Sequence, residues 1–208
     1  AGGNPQRGVI IPVPVEVPEN YTESYIEEFG WENKFVFGMH QRNDIHIFSP
    51  IPLEAYEEIQ SDDTAFLILG GSANHRKQAK DYQLKNVKFL DTTSDVNLIH
   101  KFLNTLNVYA HGRSDGEQCS SSIIEGMSHS LPIISHTAAS MGQKEQIGNA
   151  GRVVEDYEEY SNEMNKMMND LNYYTECVKN SGERFSKIYN VPSIISRFIS
   201  LYKEASNA

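Results

Sequence analysis

The chain has 208 residues, 39% of them hydrophobic, with nine Phe and eleven Tyr, which is enough apolar bulk for one sizeable core. Its formal net charge is −10 at pH 7, and an acidic surface repels phosphate backbones, which argues against a nucleic-acid-binding role. Two well-separated cysteines, Cys119 and Cys177, make neither a disulfide framework nor a zinc site. No apolar run approaches the ~18 residues of a membrane span and no signal peptide is visible, so the expectation is a cytoplasmic protein with free thiols and no transmembrane segment.

Residues 1–8 read as a flexible lead-in. Residues 9–17, VIIPVPVEV, are apolar but interrupted by Pro12 and Pro14, which cannot donate to a central ladder; an edge or extended segment is expected. FVFGM at 35–39 suits a buried parallel strand. Ser49-Pro50 then opens a helix through about Gln60, Ser as N-cap and Pro at the first helical position. AFLIL at 65–69 is the next strand, closed by Gly70-Gly71, read as a tight turn. A polar helix over 74–84, the strand VKFL at 87–90 and a helix over 95–106 follow. Then come VYAH at 108–111, a helix over 120–128, PIIS at 132–135, a short helix over 142–148 and RVV at 152–154.

Short apolar runs alternating with helices predict βαβ units: an α/β, Rossmann-like, doubly wound parallel sheet of about six strands with helices on both faces. From Tyr157 the pattern is helical only, and the acids at 155–163 read as a solvated helix start. The main domain is placed at 9–190 and a C-terminal amphipathic helix at 191–208. Ile194, Ile195, Phe198, Ile199 and Tyr202 share one face of that helix, which either folds against its own domain or self-associates.

The segment 108–154 carries the chemistry. It leaves a predicted strand and enters a helix, and ligands of open α/β sheets sit at the carboxyl ends of strands. A helix N-terminus there offers free N–H groups and a positive dipole end to an anion, and Ser120, Ser121 and Ser122 add hydroxyls. Glu117 and Glu125 bracket this phosphate seat, roughly 12 Å apart at helical rise. Carboxylates are pure acceptors suited to vicinal hydroxyls, so one suits a sugar and the other a ribose. His40, His111 and His136 each end or follow a predicted strand and are candidates for lining the cleft, with no convergent spacing for a metal.

The spacing Glu117-x7-Glu125, then Pro132-Ile133-Ile134, then Gly142-x-x-Glu145 with Gly151, resembles group 1 retaining glycosyltransferases of the GT-B fold, specifically their C-terminal, nucleotide-sugar-binding domain. The resemblance implies that Glu125 holds the ribose hydroxyls. It makes Glu117 the catalytic candidate, contacting the donor sugar with the backbone around Asp115 and Gly116. Backbone N–H groups of Ser121 and Ser122 would hold the distal phosphate, Arg42 would meet the diphosphate, and Val87 to Thr92 would lie near the nucleobase. It implies a UDP- or GDP-linked donor, retention of configuration, and no metal or other cofactor; no Asp-x-Asp pair is present. The acceptor would be a carbohydrate or other molecule held by an N-terminal domain absent from these residues, so the piece alone would be inactive.

Two departures stand out. Cys119-Ser120 replace the usual Phe-Gly, and residues 43–48 hold no Lys after Arg42, only His46. The alternatives are a non-catalytic nucleotide- or carbohydrate-binding partner module, and an epimerase or dehydrogenase, which would need a glycine fingerprint after 35–39 where His-Gln-Arg-Asn-Asp stands.

Overall fold

The computed structural model describes residues 11–15, 17 and 21–206. The expected lead-in at 1–8, residues 9, 10 and 16 of the proline-broken run, and the last two residues of the expected C-terminal helix lie outside that set. In chain order the elements are α1 (Ile26–Phe29), β1 (Phe35–Gln41), a 3-10 turn (Ile45–Ile47), α2 (Ile51–Ile59), β2 (Thr64–Gly70), α3 (Ala73–Asp81), β3 (Val87–Leu90), α4 (Val96–Thr105) and β4 (Val108–Ala110). They continue with β5 (Gly116–Glu117), α5 (Ser121–Ser128), β6 (Ile133–His136), β7 (Ser140–Met141), α6 (Gly142–Ile147), β8 (Gly151–Val154), α7 (Tyr157–Asn169), α8 (Leu171–Arg184), a π turn (Phe185–Tyr189) and α9 (Val191–Ser206).

Six strands form one parallel sheet in the order β3-β2-β1-β4-β6-β8. The order reverses between β1 and β4, and their carboxyl ends open a crevice at that switch point. Every residue of β2, TAFLILG, is buried, because helices cover both faces and leave no solvent side for a polar alternation. The core joins Val36, Phe37 and Met39 of β1 and Phe66 to Leu69 of β2 to Leu53 and Tyr56 of α2, Phe102 and Leu103 of α4, and Tyr160 and Met164 of α7. Tyr160 also donates its buried hydroxyl toward the carbonyls of His111 and Ile134, 3.0 Å from each, tying α7 to the two strands behind the crevice.

The chain thus has the expected Rossmann-like α/β fold with a C-terminal helical extension. Val15 makes an isolated parallel bridge with Asn190 rather than joining the sheet. The helical run after Tyr157 is divided by Asp170, whose carboxylate caps α8 by accepting from the N–H of Tyr173 at 2.9 Å. In α9 only Ile194 is buried, while Ile195, Phe198, Ile199 and Tyr202 stay largely exposed.

Candidate donor-binding site

The crevice is a cleft of about 490 Å³ lined by the ends of β1 and β2, the loops after β3 and β4, and the first turns of α5. Of the residues expected at the site, Arg42, Glu117, Ser121, Ser122 and Glu125 line it. Thr92 lines it from the segment expected near the nucleobase, together with Thr93, whereas Val87 to Leu90 are committed to β3. Asp115 and Gly116 are not in its wall. The Asp115 carboxylate turns to the Arg113 guanidinium in a bidentate pair at 2.9 and 2.7 Å, which holds that carboxyl below its usual range. Gly116 has φ +71°, and a Cβ there would sit 2.0 Å from the Ser140 carbonyl oxygen, so the position is taken by close backbone packing.

Helix α5 begins at Ser121, with Ser120 in extended backbone conformation and no side chain capping it. The Ser120 hydroxyl pairs with that of Ser122 at 2.9 Å instead. The first-turn N–H groups of Ser121 and Ser122 have no intrahelical acceptor, so the positive end of the helix opens on the cleft. The helical spacing assumed between the two carboxylates therefore applies only from residue 121 onward. Glu117 belongs to β5, which pairs with β7 in a two-stranded ribbon.

Two buried glutamines of α6 splint the intervening loop. Gln143 accepts from the Glu117 N–H at 3.3 Å and donates to the His136 carbonyl at 3.2 Å. Gln146 accepts from the Ser120 N–H at 2.9 Å and donates to the Ser120 carbonyl at 2.8 Å. A Cβ on Gly142 would come within 2.1 Å of the Gln118 carbonyl oxygen, so this glycine lets α6 press against the loop. The Gly-x-x-Glu signal thus marks an element that holds Glu117 and Ser120 in place.

Each carboxylate has its own basic partner. Arg113 places Nη1 3.0 Å from Glu117 Oε1, and its side chain is only 21% exposed. His40, at the end of β1, places Nε2 2.5 Å from Glu125 Oε2. Arg42 lines the cleft rim, yet its side chain is 66% exposed and pairs with Asp44 at 3.1 Å. His46 is exposed and does not line the cleft. Arg113 was missed from sequence although the run Arg113-Ser-Asp115-Gly-Glu117 carried a signal: one cation beside two acids in a loop.

Of the candidate histidines, His40 and His111 line the cleft. His136 lies just behind it, its Nδ1–H donating to the Thr137 carbonyl at 2.9 Å and its Nε2 accepting from the Ser49 hydroxyl at 2.8 Å. Burial, reinforced by His136 and Arg113, pushes His111 down to about 3, so its ring is neutral at pH 7. Among the described residues, five buried side-chain polar atoms lack a partner, and three of them belong to cleft-lining residues: His40 Nδ1, Gln41 Oε1 and His111 Nε2. Buried polar groups are normally satisfied, so this concentration marks a cleft floor built to work with a polar ligand. Cys119 is exposed on the wall, a free thiol 3.8 Å from Gln146 Nε2.

A parallel sheet with an uncapped helix at its switch point, flanked by two carboxylates, is matched by a known family. The family model for glycosyl transferases group 1 matches residues 51–184. The chain belongs to the group 1 glycosyltransferases. No curated protein matches it significantly. Among solved structures, Anabaena HepE in complex with UDP-glucose is 18% identical with TM-score 0.71, over 86% of this chain and 51% of that one. A glycosyltransferase from Rickettsia africae is 16% identical with TM-score 0.73, over 93% and 55%. The C-terminal domain of the group 1 family protein LpcC from Francisella tularensis is 15% identical with TM-score 0.68, over 87% of this chain and 97% of that one. The chain thus spans about half the length of the first two and corresponds in fold to the C-terminal domain of this glycosyltransferase family.

Proposed function

We propose that this chain is the nucleotide-sugar-binding part of a retaining glycosyltransferase and transfers sugar only when joined to an acceptor-binding domain. The observation that carries the reading is that Glu117 and Glu125 both line one cleft, with the open N-terminus of α5 between them. Its volume of about 490 Å³ falls within the roughly 300–1,000 Å³ common for small-molecule sites.

In this reading the diphosphate sits on the Ser121 and Ser122 N–H groups and Glu125 accepts from the ribose hydroxyls. The base lies toward Thr92 and Thr93, and Glu117 grips the sugar. Arg42 swings from Asp44 onto the phosphates. The bond from the anomeric carbon to the distal phosphate oxygen breaks, and the acceptor oxygen bonds to the same face. The acceptor proton passes to the leaving phosphate. Helix dipole, serine N–H groups and arginine carry the phosphate charge, with no metal invoked. The HepE complex with UDP-glucose supports a UDP-linked donor, with GDP the other candidate. The free thiols favour a cytoplasmic setting, and no helix among the described residues is long and apolar enough to cross a membrane.

Thermal-shift and calorimetric titration with UDP, GDP and ADP tests this. A cognate nucleotide at 100 times its dissociation constant should stabilise the chain by ~2.7 kcal/mol. For a chain of this size that is a melting shift of roughly 5–10 °C. A shift with one of the three names the base, and no shift with any of them contradicts donor binding by this chain.

A further inference from the structure

Glu125 does not stand alone in the cleft wall. His40 Nε2 lies 2.5 Å from its Oε2, and both side chains are largely buried, 14% and 25% exposed. A carboxylate only accepts, so the imidazole proton sits on Nε2. Nδ1 of the same ring is buried with no partner among the described residues. The ring itself is fixed. It stands edge-on to Phe102 at 5.6 Å and to Tyr109 at 5.5 Å between ring centroids. The flanking backbone is pinned by the Tyr109 hydroxyl, which lies 3.3 Å from the His40 N–H and 3.2 Å from the His40 carbonyl. Tyr109 is fully buried between β1 and β6. An immobile donor is therefore built into the sheet and aimed at one oxygen of Glu125.

We infer that His40 is a positioning residue for Glu125. It locks the carboxylate so that its remaining lone pairs meet both vicinal hydroxyls of a ribose, and so it sets the preference for a ribonucleoside over a 2′-deoxyribonucleoside diphosphate. This rests on the donor-binding reading of the cleft. A glutamate side chain with no fixed partner samples several rotamers, and two acceptor oxygens match two hydroxyls only in a narrow range of them. Anchoring one oxygen from below removes that freedom before ligand arrives, leaving Oε1 and the outer lone pair of Oε2 for the hydroxyls. Arg113 does the corresponding work for Glu117 from the other side, but its three contacts span two acids, whereas His40 serves Glu125 alone.

The test pairs a ligand ratio with a ligand-free observable on the 208-residue chain. Dissociation constants for UDP and dUDP, and for GDP and dGDP, are measured with wild type, His40→Leu, His40→Gln and Glu125→Ala. The wild type should prefer the ribonucleotide by about tenfold or more, the worth of one hydrogen bond to a charged group. His40→Leu should cut that preference at least threefold, and His40→Gln, whose amide nitrogen reaches the place of Nε2, should restore most of it. A wild-type ratio in His40→Leu overturns the positioning role. A preference that survives Glu125→Ala overturns instead the ribose reading of the cleft. Ring 15N shifts of His40 in the free chain give the second arm: they should report the Nε2–H tautomer and move in Glu125→Gln. An Nδ1–H tautomer, or no response to Glu125→Gln, removes the contact and the proposal with it, whether or not nucleotide binds.

Discussion

Acidification from pH 7 to pH 5 should lower the melting temperature on the order of 10 °C, through the chain's buried histidines. Burial pushes His75 and His129 down to about 4 and His111 to about 3, and lowers His100 and His136 as well. The hydrogen bonds explain why these rings stay neutral. His75 Nδ1 accepts from the Ser72 N–H at 3.0 Å, so a proton there would break the cap of α3. The Asn104 amide donates to the carbonyls of Tyr21 and Glu23, so its oxygen accepts from His129 Nδ1–H at 2.7 Å. His129 Nε2 must then accept from His100 Nδ1–H at 2.6 Å.

Each folded-state value lies below that of the unfolded chain, near 6.5. The unfolded state therefore takes up protons first as pH falls. The stabilisation is complete above about pH 6.5 and is lost progressively toward pH 4 to 3. Each strongly shifted histidine forfeits ~2 kcal/mol between pH 7 and pH 5, and three together forfeit several kcal/mol, at roughly 2–4 °C per kcal/mol for a chain this long. Calorimetric melting across that range checks the effect. His75→Asn, which keeps the acceptor but cannot be protonated, should flatten the slope, and a melting temperature constant from pH 7 to pH 5 would contradict neutral buried rings.

The second large effect is on the ligand. Glu125→Ala should weaken binding of the cognate nucleoside diphosphate by ~10- to 150-fold, since hydrogen bonds to a charged group contribute about 1.5–3 kcal/mol. The free chain should keep its fold, because Glu125 faces the cleft and its loss strands only the Nε2–H of His40. Glu117→Ala should behave differently. Affinity for the free diphosphate should hold, and the gain in affinity from an attached sugar should disappear. Calorimetry with the nucleotide and the nucleotide-sugar separates the two roles. Equal losses in both variants would show that the carboxylates do not divide the ligand between them.

How much of this was legible in the sequence depends on the range over which each feature is encoded. The central strands are short, largely apolar runs, because both faces are covered, and such runs are local signals, while the edge strands β3 and β8 keep an apolar majority around exposed Lys88 and Arg152. The site is legible for a similar reason. Glu117, the serines and Glu125 lie within nine consecutive positions at a strand-to-helix turn. What stayed hidden depends on tertiary pairing. Strands β5 and β7 are two residues each, too short for any periodicity. Gln143 and Gln146 reach back to a loop more than 20 positions earlier, and His40 meets Glu125 across 85 positions. Arg42 could be placed near the cleft from its position after β1, but its exposed pairing with Asp44 could not be read from the sequence. Arg113 meets Glu117 four positions on, a pairing that depends on how the loop after β4 folds back.

The most direct test of the central claim is an amide-resolved NMR titration of the 15N-labelled chain with UDP and GDP. The first-turn amides of Ser121 and Ser122 should show the largest shifts, with Glu125 and Thr92 following at the ribose and base ends, all saturating with one dissociation constant. Saturable binding that leaves the Ser121 and Ser122 amides unmoved would place the nucleotide elsewhere and contradict a diphosphate seat at the start of α5.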